Sequence, residues 1–254
     1  ISHLFEYISG SLKEVTFEVY ALEDIKAADG ESEDYYKKDD LIATITTDET
    51  GVAKLTDLPL GKYYVKEKET ANGYVLDSTA REIDLTYRDQ DTAEVTYSSD
   101  WQNNRQKAEV KVLKKEKDSD RVLEGAVFAL CNKEDIVNAN GDVILKADTV
   151  IEEQATDKEG NLTFTADLPI GYTYYVKETS PAPGFATTDQ VQEFTFEYDG
   201  ADKETLSYEF TFEDEPTVVE ITKTSLTDGK ELEGAKLEVT DEDGKVVDSW
   251  TSGK

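Results

Sequence analysis

Tyr174-Tyr175-Val176-Lys177-Glu178, followed closely by Pro181-Ala182-Pro183-Gly184-Phe185, is the stretch from which the fold can be read. Aromatic and β-branched residues favour a strand, and the proline-glycine run favours a turn after it. Successive strand side chains point to opposite faces, so Tyr174, Val176 and Glu178 share one face while Tyr175 and Lys177 take the other. If Tyr174 and Val176 face the core, Glu178 faces it too. A carboxylate seldom enters an apolar interior without a partner or a chemical task.

The same device occurs earlier in the chain. Tyr63, Val65 and Glu67 alternate in the same way, and Gly73-Tyr74 stands where Gly184-Phe185 stands later. Glu67 and Glu178 are 111 residues apart, as are Gly73 and Gly184, Phe17 and Phe128, and Trp101 and Phe212. A repeat of that length is a duplicated domain rather than a solenoid unit. In 254 residues it leaves two units and a remainder, so the expected boundaries are 1–106, 107–215 and a truncated third unit at 216–254. The third is marked by Leu232-Glu-Gly-Ala235-Lys-Leu237, which matches Leu123-Glu-Gly-Ala126-Val-Phe128. Lacking a signal peptide, a sorting signal and a hydrophobic tail, the chain reads as a piece of a longer polypeptide.

Strand signals dominate both units. In the first they fall at residues 15–20, 41–46, 52–55, 63–67, 81–86 and 93–97. In the second they fall at 109–113, 126–130, 143–145, 161–165, 172–178, 193–198 and 206–212. All are short and separated by Asp, Gly and Asn clusters. Helical periodicity is absent, apart from a weak signal for a single turn at 23–27 or 134–137. The fold class expected is all-β, a tandem pair of antiparallel sandwiches with Greek-key connections.

Charge narrows the range of partners. With 57 acidic and 27 basic residues the chain carries a formal charge of −30. That argues against nucleic acid and against anionic membrane surfaces, both of which select basic patches. Cys131 is the single cysteine, so no disulfide can form within the chain, and its place beside Leu130 suits packing. One histidine and one cysteine leave neither a zinc site nor a histidine-based triad in the folded units. Asp241-Glu242-Asp243-Gly244 and Asn138-Ala139-Asn140-Gly141 lack the spaced carboxylates of a calcium loop and read as hairpin turns. No cofactor is called for.

Three positions form a constellation. Lys114 stands fourteen residues before Phe128, and Lys223 stands fourteen before Leu237. Glu67 and Glu178 are the acids on the middle strand. Asn103 and Asp214, 111 apart, end the last strand on its apolar face, since Phe210, Phe212 and Asp214 alternate, as do Tyr97, Trp101 and Asn103.

Together with Leu168-Pro169, the Tyr174–Phe185 stretch and Phe212-Glu-Asp214, these residues resemble the SpaA-type or CnaB (prealbumin-like) domains of Gram-positive surface proteins and pilins. The resemblance covers nearly the whole chain. It implies CnaB-type sandwiches in which a first-strand lysine joins a last-strand Asp or Asn in a spontaneous isopeptide bond, assisted by the buried Glu. Mapped residue by residue, it implies a Lys114–Asp214 cross-link promoted by Glu178. The chemistry is consistent, because burial favours the neutral amine that can attack and the protonated acid that can shuttle protons, while adjacent strands supply proximity. A buried Lys–Asp–Glu hydrogen-bonded cluster without a covalent bond is the plainer reading of the same residues.

The first unit departs from the pattern. His3 stands where the lysine belongs, although Glu67 and Asn103 are present. Its first strand lies upstream, or it forms no bond, or an insertion moves another lysine into place. Lys223 has no matching Glu or Asn/Asp after it and is expected to be unbonded. The function implied is structural: repeat modules in the stalk or shaft of a wall-anchored surface protein or pilus, contacting neighbouring repeats, outside the cell and without enzymatic turnover. The rival is an adhesin module that binds a host protein or glycan through its loops, for which Tyr35-Tyr36 is the exposed aromatic pair to examine.

Overall fold

The computed structural model describes residues 4, 5, 7, 9–27, 29–91, 94–221, 223–230 and 232–253. Among these there is no helix, and hence none long and apolar enough to cross a membrane. The chain is all-β and divides into two compact units, one ending at Glu215 and one beginning at Pro216.

Within the first unit, β1 (Thr16–Ala21), β2 (Leu41–Thr46), β3 (Lys62–Glu69) and β4 (Arg81–Asp84) form an antiparallel sheet in the order β2-β1-β3-β4. Alternation places Phe17 and Val19 of β1 against Glu67 and Val65 of β3, all on the buried face. The second repeat rebuilds this sheet from β6 (Val127–Asn132), β9 (Val150–Ala155), β11 (Tyr172–Ser180) and β12 (Val191–Phe196), in the order β12-β11-β6-β9. It adds a second layer, in which β5 (Lys107–Glu116) lies between β10 (Asn161–Phe164) and β13 (Thr205–Asp214). Val110, Val112, Phe164 and Phe212 of this layer meet Phe128, Leu130, Val176 and Phe196 of the other in one core. Fully burying each such side chain stabilises by roughly 1.5–3 kcal/mol.

One pairing is not antiparallel. First strand β5 and last strand β13 run parallel over their whole length, Thr205 opposite Lys107 and Asp214 opposite Glu116. Strand alternation alone carries no information about this, because the two strands are joined through the entire repeat.

In the first repeat the expected strands at 52–55 and 93–97 are not found among the described residues, and Ala93 lies outside them. The reason is the missing centre. In the second repeat β10 and β13 pair only with β5, and the first repeat has no strand before β1 among its described residues to play that part. Edges without a centre have no ladder to form. Ala53, Leu55 and Trp101 still pack against the first core, but only partly buried. His3 lies outside the described residues.

The weak helical signals also resolve differently. Ile136 begins β7 (Ile136–Val137), which pairs with β8 (Val143–Leu145), and Ile25 forms an isolated bridge to Tyr36. The Asn138 side chain accepts from the Asn140 and Asp142 backbone N–H groups, making the hairpin turn between β7 and β8. In the unit from Pro216, β14 (Lys236–Thr240) and β15 (Val246–Thr251) make a hairpin around a similar turn at Asp241. Val219, Ile221 and Lys223 lie in no strand.

Candidate functional site

The second repeat brings its three site residues together. Lys114 projects inward from β5 in phase with Val110 and Val112, and Asp214 from the end of neighbouring β13 in phase with Phe212. Lys114 Nζ donates to Asp214 Oδ1, and Glu178 Oε1 from β11, in the opposite sheet, lies 3.0 Å from the same nitrogen. All three side chains have no solvent exposure. Phe128 and Phe212 roof the cluster with ring centroids 4.8 Å apart, and Lys114 Nζ lies 5.6 Å from the Phe128 centroid. Water is thereby excluded from the amine.

Electrostatics distribute the protons. Two carboxylates and one ammonium, all ionised, would leave an uncompensated negative charge in an apolar core, which is strongly unfavourable. Burial pushes the Glu178 carboxyl above the ordinary glutamate range, against the opposing pull of the Thr188 N–H and of Lys114. Glu178 is therefore the group that keeps a proton. Its Oε2 accepts from Thr188 N at 3.0 Å, which fixes the carboxyl plane and aims Oε1 at the lysine. Asp214 Oδ2 has no hydrogen-bond partner. The cluster thus contains an amine on one carboxyl oxygen, a free second oxygen, and an acid beside the amine.

The first repeat holds the same frame without the amine. Asn103 Nδ2 donates to Glu67 Oε1 and Oε2 at 2.9 and 2.8 Å, and to Val75 O at 3.0 Å. Asp77 N donates to Glu67 Oε2 at 2.6 Å, as Thr188 N does to Glu178 111 residues later. Burial raises the Glu67 carboxyl as well. Lys13, the nearest lysine in sequence to β1, extends instead to Glu49 at 3.2 Å on the surface. Lys223, in the unit from Pro216, is exposed.

Sequence reasoning missed the backbone donors of Asp77 and Thr188, each ten residues past its glutamate. The signal was the matched spacing of the two loops. It also missed Gln106, fully buried, whose Nε2 donates to Gly200 O and Lys203 O and whose Oε1 accepts from Asp199 N. That side chain holds the β12–β13 loop against the start of β5. Cys131 is buried, as a packing residue should be. Tyr36 packs on the first core and only Tyr35 is exposed, so the two do not form an aromatic surface pair.

A model of the SpaA family, a prealbumin-like fold domain, matches residues 8–101 and 108–210. Among solved structures, the Bacillus anthracis TIE protein is 26% identical with a TM-score of 0.54, over 96% of this chain and 39% of that one. The chain thus spans well under half the length of that relative. The shaft pilin SpaA from Lactobacillus rhamnosus GG is 16% identical with a TM-score of 0.32, over 87% of this chain and 96% of the pilin. The minor pilin GBS52 of the Gram-positive pathogen Streptococcus agalactiae is 17% identical with a TM-score of 0.32, over 85% and 88%. No curated protein sequence matches the chain significantly.

Proposed function

The chain belongs to the SpaA family of prealbumin-like fold domains, and from that premise we propose that its repeats, parsed at 1–106, 107–215 and 216–254, are structural modules of a stalk or shaft. The parent would be a wall-anchored surface protein or pilus of a Gram-positive bacterium, with neighbouring repeats as the partners. The observation that carries this reading is the dry Lys114–Glu178–Asp214 cluster tying the first strand of a repeat to its last.

The chemistry proposed is a condensation. Proton transfer from the Lys114 ammonium to Asp214 leaves a free amine beside a neutral carboxyl, and Nζ then attacks Asp214 Cγ. The Nζ–Cγ bond forms, a Cγ–O bond breaks, and one water leaves. Glu178 gives its proton to the departing oxygen and takes one from the attacking nitrogen, a role suited to a carboxyl that burial holds above the ordinary glutamate range. Fixing the reactants on paired strands replaces the chemical activation that an ordinary amide synthesis needs. The event happens once per molecule and involves no turnover.

Mechanical function follows from the parallel pairing. Tension enters at the start of β5 and leaves after Asp214, so it runs along β5 to Lys114, crosses the bond and exits at once. The 100-residue span between the two residues is bypassed. Pulling single molecules by their ends tests this. The second repeat should withhold the roughly 330–360 Å that 100 residues add when extended, and Lys114→Arg should restore that length. Full extension of the unaltered chain would refute the role. No specific observation favours the adhesin reading, since Tyr35 and Tyr36 do not form a shared surface.

A further inference from the structure

Two short segments run side by side where the first repeat meets the second. Residues 73–77, in the loop after β3, lie against residues 103–106, and an antiparallel bridge joins Tyr74 to Arg105. Val75 N donates to Asn104 O at 2.8 Å and Gln106 N to Gly73 O at 2.9 Å, so the segments form a narrow ribbon. One edge of the ribbon holds the buried acid and amide of the first repeat. Asp77 N donates to Glu67, and Val75 O accepts from Asn103 Nδ2, which also donates to both Glu67 oxygens.

The other edge holds the second repeat. Leu76 N donates to Ala201 O at 2.8 Å, and Tyr74 O accepts from the Tyr198 hydroxyl at 3.0 Å. Arg105 pairs with Asp167, and the buried Gln106 side chain binds the backbone of Asp199, Gly200 and Lys203. Two consecutive peptide groups therefore have one end in each repeat. The 75–76 peptide takes Asn103 on its oxygen and gives its N–H to Ala201, while the 74–75 peptide takes Tyr198 on its oxygen and gives its N–H to Asn104. A peptide group is planar and rigid, so it cannot tilt at one end without tilting at the other. Amides linked in series also polarise one another, so each bond strengthens the next.

We propose that this ribbon couples the Glu67–Asn103 pair to the joint between the repeats, so that the joint is stiff while the pair is made and loosens when it breaks. The acid and amide of the first repeat thereby set how far a tandem array bends at this point. The coupling stands apart from the cross-link read above, since none of its contacts involves Lys114 or Asp214. Being a free energy shared by two sites, it acts equally in both directions.

The test uses the full chain, with amide exchange and residual dipolar couplings compared between the unaltered protein and two single variants. The unaltered repeats should share one alignment. Asn103→Ala should speed exchange of the Leu76 N–H by about 5-fold or more and give the two repeats separate alignments. In the reverse direction, Tyr198→Phe removes one hydroxyl from the second repeat and should speed exchange of the Asp77 N–H in the first by a similar factor. Thr188 N, which makes the matching bond to Glu178 inside the second repeat, is the internal reference and should not change. Separate alignments in the unaltered chain, or an unchanged Leu76 rate in Asn103→Ala, would overturn the proposal. Equal acceleration at Thr188 would mean general loosening and would overturn it as well. Should Asn103→Ala unfold the first repeat, Tyr198→Phe decides alone, and an unchanged Asp77 rate there would refute the coupling.

Discussion

Replacing Glu178 with glutamine changes one buried atom and should change the stability of an entire repeat. The amide keeps an oxygen to accept from Thr188 N but cannot shuttle protons between Lys114 and the departing oxygen. If the only loss were that of an ordinary buried hydrogen bond, the repeat would weaken by about 1 kcal/mol, or roughly 4–8 °C. If the glutamate promotes the cross-link, a closure spanning 100 residues is lost as well. That closure constrains the unfolded chain by about 4.7 kcal/mol, so the melting temperature of the second repeat should fall by roughly 20–35 °C. Both tryptophans, Trp101 and Trp250, lie outside the second repeat, so calorimetry combined with amide exchange of β5 and β13 is the suitable assay. The denaturant dependence should also steepen, because an uncross-linked chain exposes more surface on unfolding. Lys114→Met should cost about as much, and the double variant little more than either, because each removes the same bond. A small melting shift with an unchanged slope would refute the reasoning.

Two further outcomes follow from the geometry. Gly160, at φ +74°, sits where a Cβ would meet Lys114 O at 2.7 Å and Val122 Cβ at 2.8 Å, so Gly160→Ala should destabilise the second repeat by more than about 1 kcal/mol and slow cross-linking, read by thermal unfolding and by the rate of mass loss. Burial raises the Glu67 carboxyl, so the folded first repeat holds its proton to higher pH than the unfolded chain does. Its contribution is then fully present below the ordinary glutamate value and is lost as pH rises through the raised one. Unfolding followed by Trp101 fluorescence should show this decline in the unaltered chain relative to Glu67→Gln, and parallel pH profiles for the two would contradict it.

Much of the site was legible because strand phase is a strict period of two. Tyr174 and Val176 could not go inward without Glu178, nor Phe212 without Asp214, and the 111-residue offset doubled every inference. What escaped the sequence was whatever depends on a partner strand. Residues 52–55 and 94–97 have strand composition, yet they form none, with no strand before β1 among the described residues for them to pair with. The parallel pairing of β5 with β13 depends on how the whole repeat winds between them. The donors at Asp77 and Thr188 are backbone groups, which side-chain identity does not mark. Phe5 and Tyr7 were assigned to the first repeat by position. Phe5 packs instead on the second core, and Tyr7 donates to Asp167 O at 2.8 Å beneath the Arg105 guanidinium. Nothing in their spacing announces that contact.

The intact mass of the folded, unaltered chain, measured after denaturation, tests the central claim most directly. Condensation of Lys114 with Asp214 predicts a chain lighter than its sequence by one water, with the loss confined to a branched peptide containing both residues and absent from Glu178→Gln. A folded chain at its full sequence mass would contradict the claim and leave an ionic cluster in the core of the repeat.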